Sequence, residues 1–214
     1  MTKKQDGTIK LAIRRNLPEG VKRWARLMRL ATTPIPDWPP SIPQKQLDGC
    51  VVLESRLAML DRLDKGMTIC EVGTEAGNFA SEILARCEPA ILHAIDVDLS
   101  QLPASLVERP NFVAHKGLSQ TVINTFPDAS FDFIYIDADH GYAAVCNDIA
   151  AAVPKLKPGG ILAFNDFAII GRWGFGTFGV KKAVSEFAVQ SGWPVVYFCF
   201  HVQALYDIAL RKPM

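Results

Sequence analysis

The chain has 214 residues, 49% of them hydrophobic and 21% charged, with a formal net charge of +1. This make-up fits a globular protein with one well-buried domain and excludes a disordered or membrane-spanning chain. No run approaches the roughly 18 uninterrupted apolar residues of a spanning helix, and the polar start from Met1 to Lys10 has no apolar signal core behind it, so a cytoplasmic chain without a membrane partner is expected.

Charge is unevenly spread. Residues 1–30 hold nine Lys or Arg against Asp6 and Glu19, which marks residues 1–40 as an appendage to a domain over 41–214. Within it, Val21, Trp24, Leu27, Met28 and Ala31 recur at helical spacing opposite Lys22, Arg23, Arg26 and Arg29. That spacing predicts a short basic amphipathic helix, read as a lid or a homodimer contact. The prolines between Thr33 and Pro43 then forbid regular helix. Cys50, Cys70, Cys87, Cys146 and Cys199 are odd in number and scattered without a CxxC pair, so they read as reduced structural thiols.

Leu53, Leu57, Leu60 and Leu63 make an apolar stripe on an expected helix ending near Lys65-Gly66. Strand and helix patterns then alternate: strand Met67 to Val72, helix Asn78 to Cys87, strand Ile91 to Val97, a short strand near Phe112 to His115, and strand Phe131 to Asp137. A helix carrying Tyr142, Val145, Ile149, Val153 and Leu156 on one face follows, then strand Ile161 to Asn165 and helix Gly179 to Gln190. Two closing strands, Val195 to His201 and Ala204 to Arg211, are joined too tightly for a crossover and must be antiparallel. The pattern implies an α/β fold: a doubly wound sheet, mostly parallel with an antiparallel C-terminal strand pair, flanked by helices.

Ligands of such sheets sit beyond the carboxyl ends of the strands. The first long strand ends in Glu71-Val-Gly73-Thr74-Glu75-Ala-Gly77-Asn78, where a dinucleotide fingerprint would need glycine in place of Glu75 and Asn78. A carboxylate at that turn repels a pyrophosphate, which argues against a nicotinamide dehydrogenase. It suits a ligand with a cationic amino-acid end, whose ammonium Glu71 could receive and whose carboxylate the helix N-terminus could receive. S-adenosylmethionine is such a ligand. Asp96, at the end of the next strand and followed by Val97, is placed to accept ribose hydroxyls.

With E-V-G-T-E-A-G, I-D-V-D, L-K-P-G-G-I-L and the closing strand pair, residues 47–212 resemble the class I S-adenosylmethionine-dependent methyltransferases, a Rossmann-like fold. The resemblance implies that Gly117, Leu118 and Ser119 border the adenine, with Leu118 where relatives often carry Asp. Asp137 joins the expected cofactor contacts.

Asp137, Asp139, His140, Asn165 and Asp166 follow the fourth and fifth strands and should converge on one mouth. Their hard oxygen ligands suit Mg²⁺, and the pattern is similar to the metal-dependent O-methyltransferases. There Asp137 with Asn165 and Asp166 would hold the ion; a second alignment uses Asp139 with Asp166. His140, aided by Asp137, is the candidate base for deprotonating an acceptor; capping of the following helix is the other reading of this histidine. His201, Lys181 and Lys182 are further base candidates. The glycine-rich loop from Ala168 to Gly179, with Arg172, Trp173 and Phe175, follows the fifth strand where it could wall an acceptor pocket. O-methylation of a small molecule is the leading expectation. An RNA or protein methyltransferase and a non-catalytic cofactor-binding protein are the alternatives, and the acidic mouth disfavours nucleic acid.

Overall fold

In chain order, the computed structural model forms α1 (Gln44–Leu47), β1 (Val51–Leu53), α2 (Arg56–Leu60), β2 (Thr68–Val72) and α3 (Asn78–Cys87). Next come β3 (Ile91–Asp96), α4 (Ala104–Val107), β4 (Phe112–Lys116), α5 (Ser119–Ile123) and β5 (Phe131–Ile136). The chain closes with α6 (Tyr142–Lys155), β6 (Leu156–Phe164), α7 (Val180–Ser191), β7 (Val195–Cys199) and β8 (Asp207–Arg211). The described residues are 18, 20–21, 38–168, 178–200 and 205–214. Most of the expected basic helix, Arg172, Trp173 and Phe175 of the glycine-rich loop, and His201 lie outside them.

The eight strands form one sheet in the order β1-β7-β8-β6-β5-β2-β3-β4. β8 runs antiparallel to both β6 and β7, and every other pairing is parallel. Parallel strands need helical crossovers, which cover both faces and bury the sheet. Along β5, Phe133 and Tyr135 enter one core while Ile134 and Ile136 enter the other, as alternating side chains require, and Phe131 joins the second core across the register shift between Phe131 and Phe133. Among the described residues no helix is long and apolar enough to cross a membrane.

Two local readings of the sequence are corrected. Leu53 belongs to strand β1, paired in parallel with β7 through Val51 and Tyr197, and the following helix spans only Arg56–Leu60. The leucine spacing reflects burial of Leu53, Leu60 and Leu63 in one core, not one helix face. The sixth strand starts at Leu156, five residues before Ile161, because Lys157-Pro-Gly-Gly160 continues the strand through a register shift against Phe131 and Phe133.

β3 and β4 also bring two histidines together. His93 Nδ1 lies 2.9 Å from His115 Nε2, and both rings pack edge-on against Phe126. Burial, and for His93 the neighbouring ring, holds both below the usual histidine value. The unfolded chain therefore binds more protons than the folded one, and stability from this pair is lost as pH falls below about 6.5. Thermal melts at several pH values should show a smaller acid loss for His115→Gln than for the unmutated protein; parallel curves would contradict this.

Candidate functional site

Because β2, β3, β4 and β5 run parallel, their carboxyl ends share one edge of the sheet, and a cavity of about 690 Å³ opens there. That is in the range of small-molecule sites, roughly 300–1,000 Å³.

At its centre the β2 end turns sharply. Gly73 has φ +91°, and its N–H donates to the Ile95 carbonyl at 2.8 Å. The Asp137 N–H donates to the Val72 carbonyl at 2.7 Å, so the ends of β2, β3 and β5 are laced together. This brings Glu71, Thr74 and Glu75 to the cavity wall. Glu71 is buried, accepts a 2.8 Å hydrogen bond from Thr74 Oγ1, and is pushed up to about 8 by its burial, against the pull of that bond. The Asp96 carboxylate ties the next strand end to the turn, accepting the N–H groups of Glu75 at 2.8 Å and Asp98 at 3.0 Å.

Val97, Gly117, Leu118 and Ser119 line the same cavity on its β3–β4 side. Buried Asp148 of α6 also reaches it and is hydrogen-bonded by the Ser119 hydroxyl. Gly77 does not line the cavity. It caps α3 at φ +75°, and a Cβ there would meet Leu106 Cδ2 at 2.5 Å, so its role is close packing on α4.

On the β5 side the lining includes Asp137, Ala138, Asp139 and His140. Burial, set against the attraction of Arg56, pushes Asp137 up to about 7. Asp139 Oδ1 accepts the Gly141 N–H at 2.6 Å and so shapes the entry to α6. The His140 ring stacks on Phe178 at 4.5 Å. Its Nε2 lies 3.2 Å from Asp166 Oδ2 and 3.7 Å from Asp137 Oδ1. These contacts are charge pairs without hydrogen-bond alignment, which leaves the buried nitrogen without an aligned partner among the described residues. Proximity to Asp166, partly offset by burial, raises the His140 pKa.

Residues 70–167 match the family model described as a methyltransferase domain. That match takes in 98 of the 214 residues, from β2 to the residues just after β6, and includes the glycine turn. No curated protein sequence matches it. Solved structures share the fold. A SAM dependent methyltransferase from Aquifex aeolicus is 19% identical with a TM-score of 0.54, over 73% of this chain and 87% of that one. A SAM-dependent methyltransferase from Methanosarcina mazei is 13% identical with a TM-score of 0.57, over 76% and 100%. A Streptococcus thermophilus protein described as a hemolysin is 18% identical with a TM-score of 0.56; the match covers 74% of this chain and spans 63% of that protein's length.

The expected Mg²⁺ set is not supported: among the described residues no group of three or more His, Cys, Asp or Glu is arranged to hold a metal ion. Asn165 Nδ2 instead donates to Tyr135 Oη at 3.2 Å and Asp207 Oδ1 at 3.3 Å. Asp139 is engaged by the Gly141 turn, and Asp137 Oδ2 faces Arg56 Nη1 at 3.4 Å. Asp166 sits at φ +54°, a left-handed turn that directs its carboxylate to His140.

The structure adds residues that sequence reasoning missed. Tyr135 Oη donates to Asp207 Oδ2 at 2.7 Å and accepts from Arg56 Nη1 at 3.1 Å, forming a buried network behind the cavity. Arg56 Cζ lies 4.3 Å from the Phe79 ring centroid. The one available signal was a charged residue, Asp207, placed directly before the apolar run Ile208–Leu210 of its strand.

Proposed function

We propose that the domain uses S-adenosylmethionine to methylate an oxygen of a small molecule, with His140 as the base. When bound, the cofactor supplies an electrophilic methyl group on a sulfonium. The cavity chemistry supports this ligand: Asp96 can accept ribose hydroxyls in the middle, Gly117–Ser119 can border the adenine, and Glu71 can receive the ammonium. Six carboxyl-bearing residues line the cavity (Glu71, Glu75, Asp96, Asp137, Asp139 and Asp148), which favours a sulfonium and disfavours a phosphate backbone.

The observation that carries the base assignment is the buried Nε2 of His140, held by Phe178 and facing two carboxylates without an aligned bond. Neutral His140, its Nε2–H turned to Asp166, would take the acceptor's hydroxyl proton on Nδ1 as the acceptor oxygen displaces the methyl group from the sulfonium, leaving S-adenosylhomocysteine. Asp166 and Asp137 stabilise the imidazolium that results. Of the expected metal ligands, Asp137 and Asp166 face His140 while Asp139 and Asn165 are engaged by Gly141 and Tyr135, so no step here is assigned to Mg²⁺.

Release of S-adenosylhomocysteine with a panel of hydroxylated small molecules tests the reading. His140→Ala should keep cofactor affinity and slow transfer by about 10²–10⁴-fold, the usual worth of a general base. Turnover in the unmutated protein should climb as pH rises through the His140 pKa, which lies above its ordinary value. Methyl transfer to RNA or protein but to none of the small molecules, or full turnover by His140→Ala, would contradict it.

Glu71 supplies a further expectation. In the protein alone its carboxyl, pushed up to about 8, holds a proton at pH 7, whereas beside an ammonium it must ionise. Binding of S-adenosylhomocysteine should therefore release a proton, read as a dependence of calorimetric heat on buffer ionisation. Methylthioadenosine, which has no ammonium, should release none. Equal release with both ligands would remove Glu71 from the ammonium site.

A further inference from the structure

Two histidines meet on the β3–β4 half of the sheet, apart from the residues assigned to the chemistry. His93 of β3 and His115 of β4 are both half-buried, and His93 Nδ1 lies 2.9 Å from His115 Nε2. Phe126 packs edge-on against both rings and Phe131 of β5 against His93, so the pair has little room to turn. Among the described residues the partner ring is the one charge that acts on His93, and none acts on His115. Alternation puts Asp96 and Lys116 on the other side of their strands from the histidines. The carboxylates of the neighbouring elements are engaged elsewhere: Asp132 by the Thr68 N–H and Lys157 at 2.8 Å, Asp128 by Lys155 at 2.7 Å, and Asp148 of α6 by the Ser119 hydroxyl. Helix α5 carries no titratable side chain.

Such a contact holds one proton. With both rings neutral, one of the facing nitrogens donates and the other accepts. A first added proton goes to the outward nitrogen of the donor ring and leaves the bond intact. A second must go to the accepting nitrogen, which removes the acceptor and sets two cations face to face. The repulsion falls on β4, because that strand ends the sheet and pairs only with β3, whereas β3 is also held by β2. His115 stands opposite Ile95 in the register. Two residues further on, the Gly117 N–H donates to the Asp96 carbonyl at 2.9 Å, and Gly117, Leu118 and Ser119 then line the cavity.

We propose that the His93–His115 contact is a pH-sensitive latch on edge strand β4, holding the Gly117–Ser119 wall of the cavity while intact and releasing it when both rings are protonated. Burial keeps both histidines below their usual value, so the latch is shut at neutral pH and opens as pH falls through that lowered range. A ligand seated against this wall binds the shut strand better and, by reciprocity, lowers the proton affinity of the pair. Only that coupling rests on the cavity being the S-adenosylmethionine site; the release of β4 does not.

Amide hydrogen exchange of the ligand-free protein, with the intrinsic rate at each pH divided out, reads the strand. From pH 7 to pH 5 protection of the Phe112–Lys116 amides should fall by about tenfold or more, the effect of a one-unit difference in pKa between the shut and open strand. The amides of central strand β2 should keep theirs. His93→Gln and His115→Gln each leave a neutral hydrogen-bonding side chain beside the remaining histidine, and either should flatten the β4 response. Methylthioadenosine, which has no ammonium for Glu71 to receive, reads the cavity wall. Over the same range its affinity should fall about tenfold further in the unmutated protein than in either variant. Unchanged β4 protection in the unmutated protein overturns the latch without recourse to a variant, and so does an equal fall in all three proteins. A β4 response with no matching loss of methylthioadenosine affinity overturns the coupling to the cavity. No binding of methylthioadenosine at pH 7 overturns instead the reading of the cavity as a cofactor site.

Discussion

Gly73→Ala should abolish cofactor binding and destabilise the fold severely. The added Cβ would stand 2.1 Å from the Asp137 carbonyl oxygen, 2.5 Å from its carbonyl carbon and 2.8 Å from Ala138 Cα. All three are backbone atoms, so no side chain can swing aside. Relief requires parting β2 from β5 where the Asp137 N–H bonds the Val72 carbonyl at 2.7 Å. The φ of +91° adds a backbone cost that any L side chain incurs. Together these place the loss at about 4 kcal/mol or more, among the exceptional single substitutions. Gly192→Ala is the control, because its φ is also positive, +72°, but a Cβ there meets nothing within 4 Å. It should cost about 1 kcal/mol and leave ligand binding unchanged. Urea unfolding of both variants, followed by ligand titration, checks the pair; equal losses would contradict the steric account.

Asp207→Ala should cost about 3–5 kcal/mol, the range for removing one partner of a buried, charged network. Asp207 is 2% exposed, and its carboxylate accepts from Tyr135 Oη at 2.7 Å and from Asn165 Nδ2 at 3.3 Å. Truncation strands a hydroxyl and an amide in the interior and removes a negative charge that faces Arg56. Burial, opposed by these hydrogen bonds, holds the Asp207 carboxyl up at about 6. Because that pKa is raised, the carboxyl favours folding most fully below its unfolded value, and the contribution fades as pH rises through about 6. Asp207→Asn keeps the shape and an acceptor, so it should lose less than the alanine variant and show a weaker fall in stability between pH 5 and 7. Denaturant midpoints across that range read both effects; an alanine variant as stable as the asparagine one would show that the network contributes nothing.

The legible parts of the sequence were those in which one segment reports on itself. Helix Asn78–Cys87 was readable to the residue because its apolar spacing and bracketing glycine turn are local. The carboxyl ends carrying Glu71, Asp96 and Asp137 followed from the alternation of strands and helices, which fixes the edge they share. Strand β1 was not legible. Three residues carry no period, and its pairing with β7 spans more than a hundred positions. The metal ligand set is unsupported for a related reason: position at a strand end says nothing of the direction a side chain takes. Asn165 turns to Tyr135 and Asp207, and Asp166 turns to His140 through a left-handed backbone that nothing in Asn-Asp-Phe announces. Arg56 and Asp207 drew no reading in the sequence, since the Tyr135 hydroxyl they share lies on a strand distant in the chain from both.

Calorimetric titration of the unmutated protein with S-adenosylhomocysteine tests the central claim most directly. One site of micromolar or tighter affinity, weakened by about 1–3 kcal/mol in Asp96→Ala as ribose hydroxyls lose a charged partner, is the result predicted. Binding of NADH with no heat from S-adenosylhomocysteine would contradict it, because the carboxyl-lined turn at Glu75 would then be receiving a pyrophosphate.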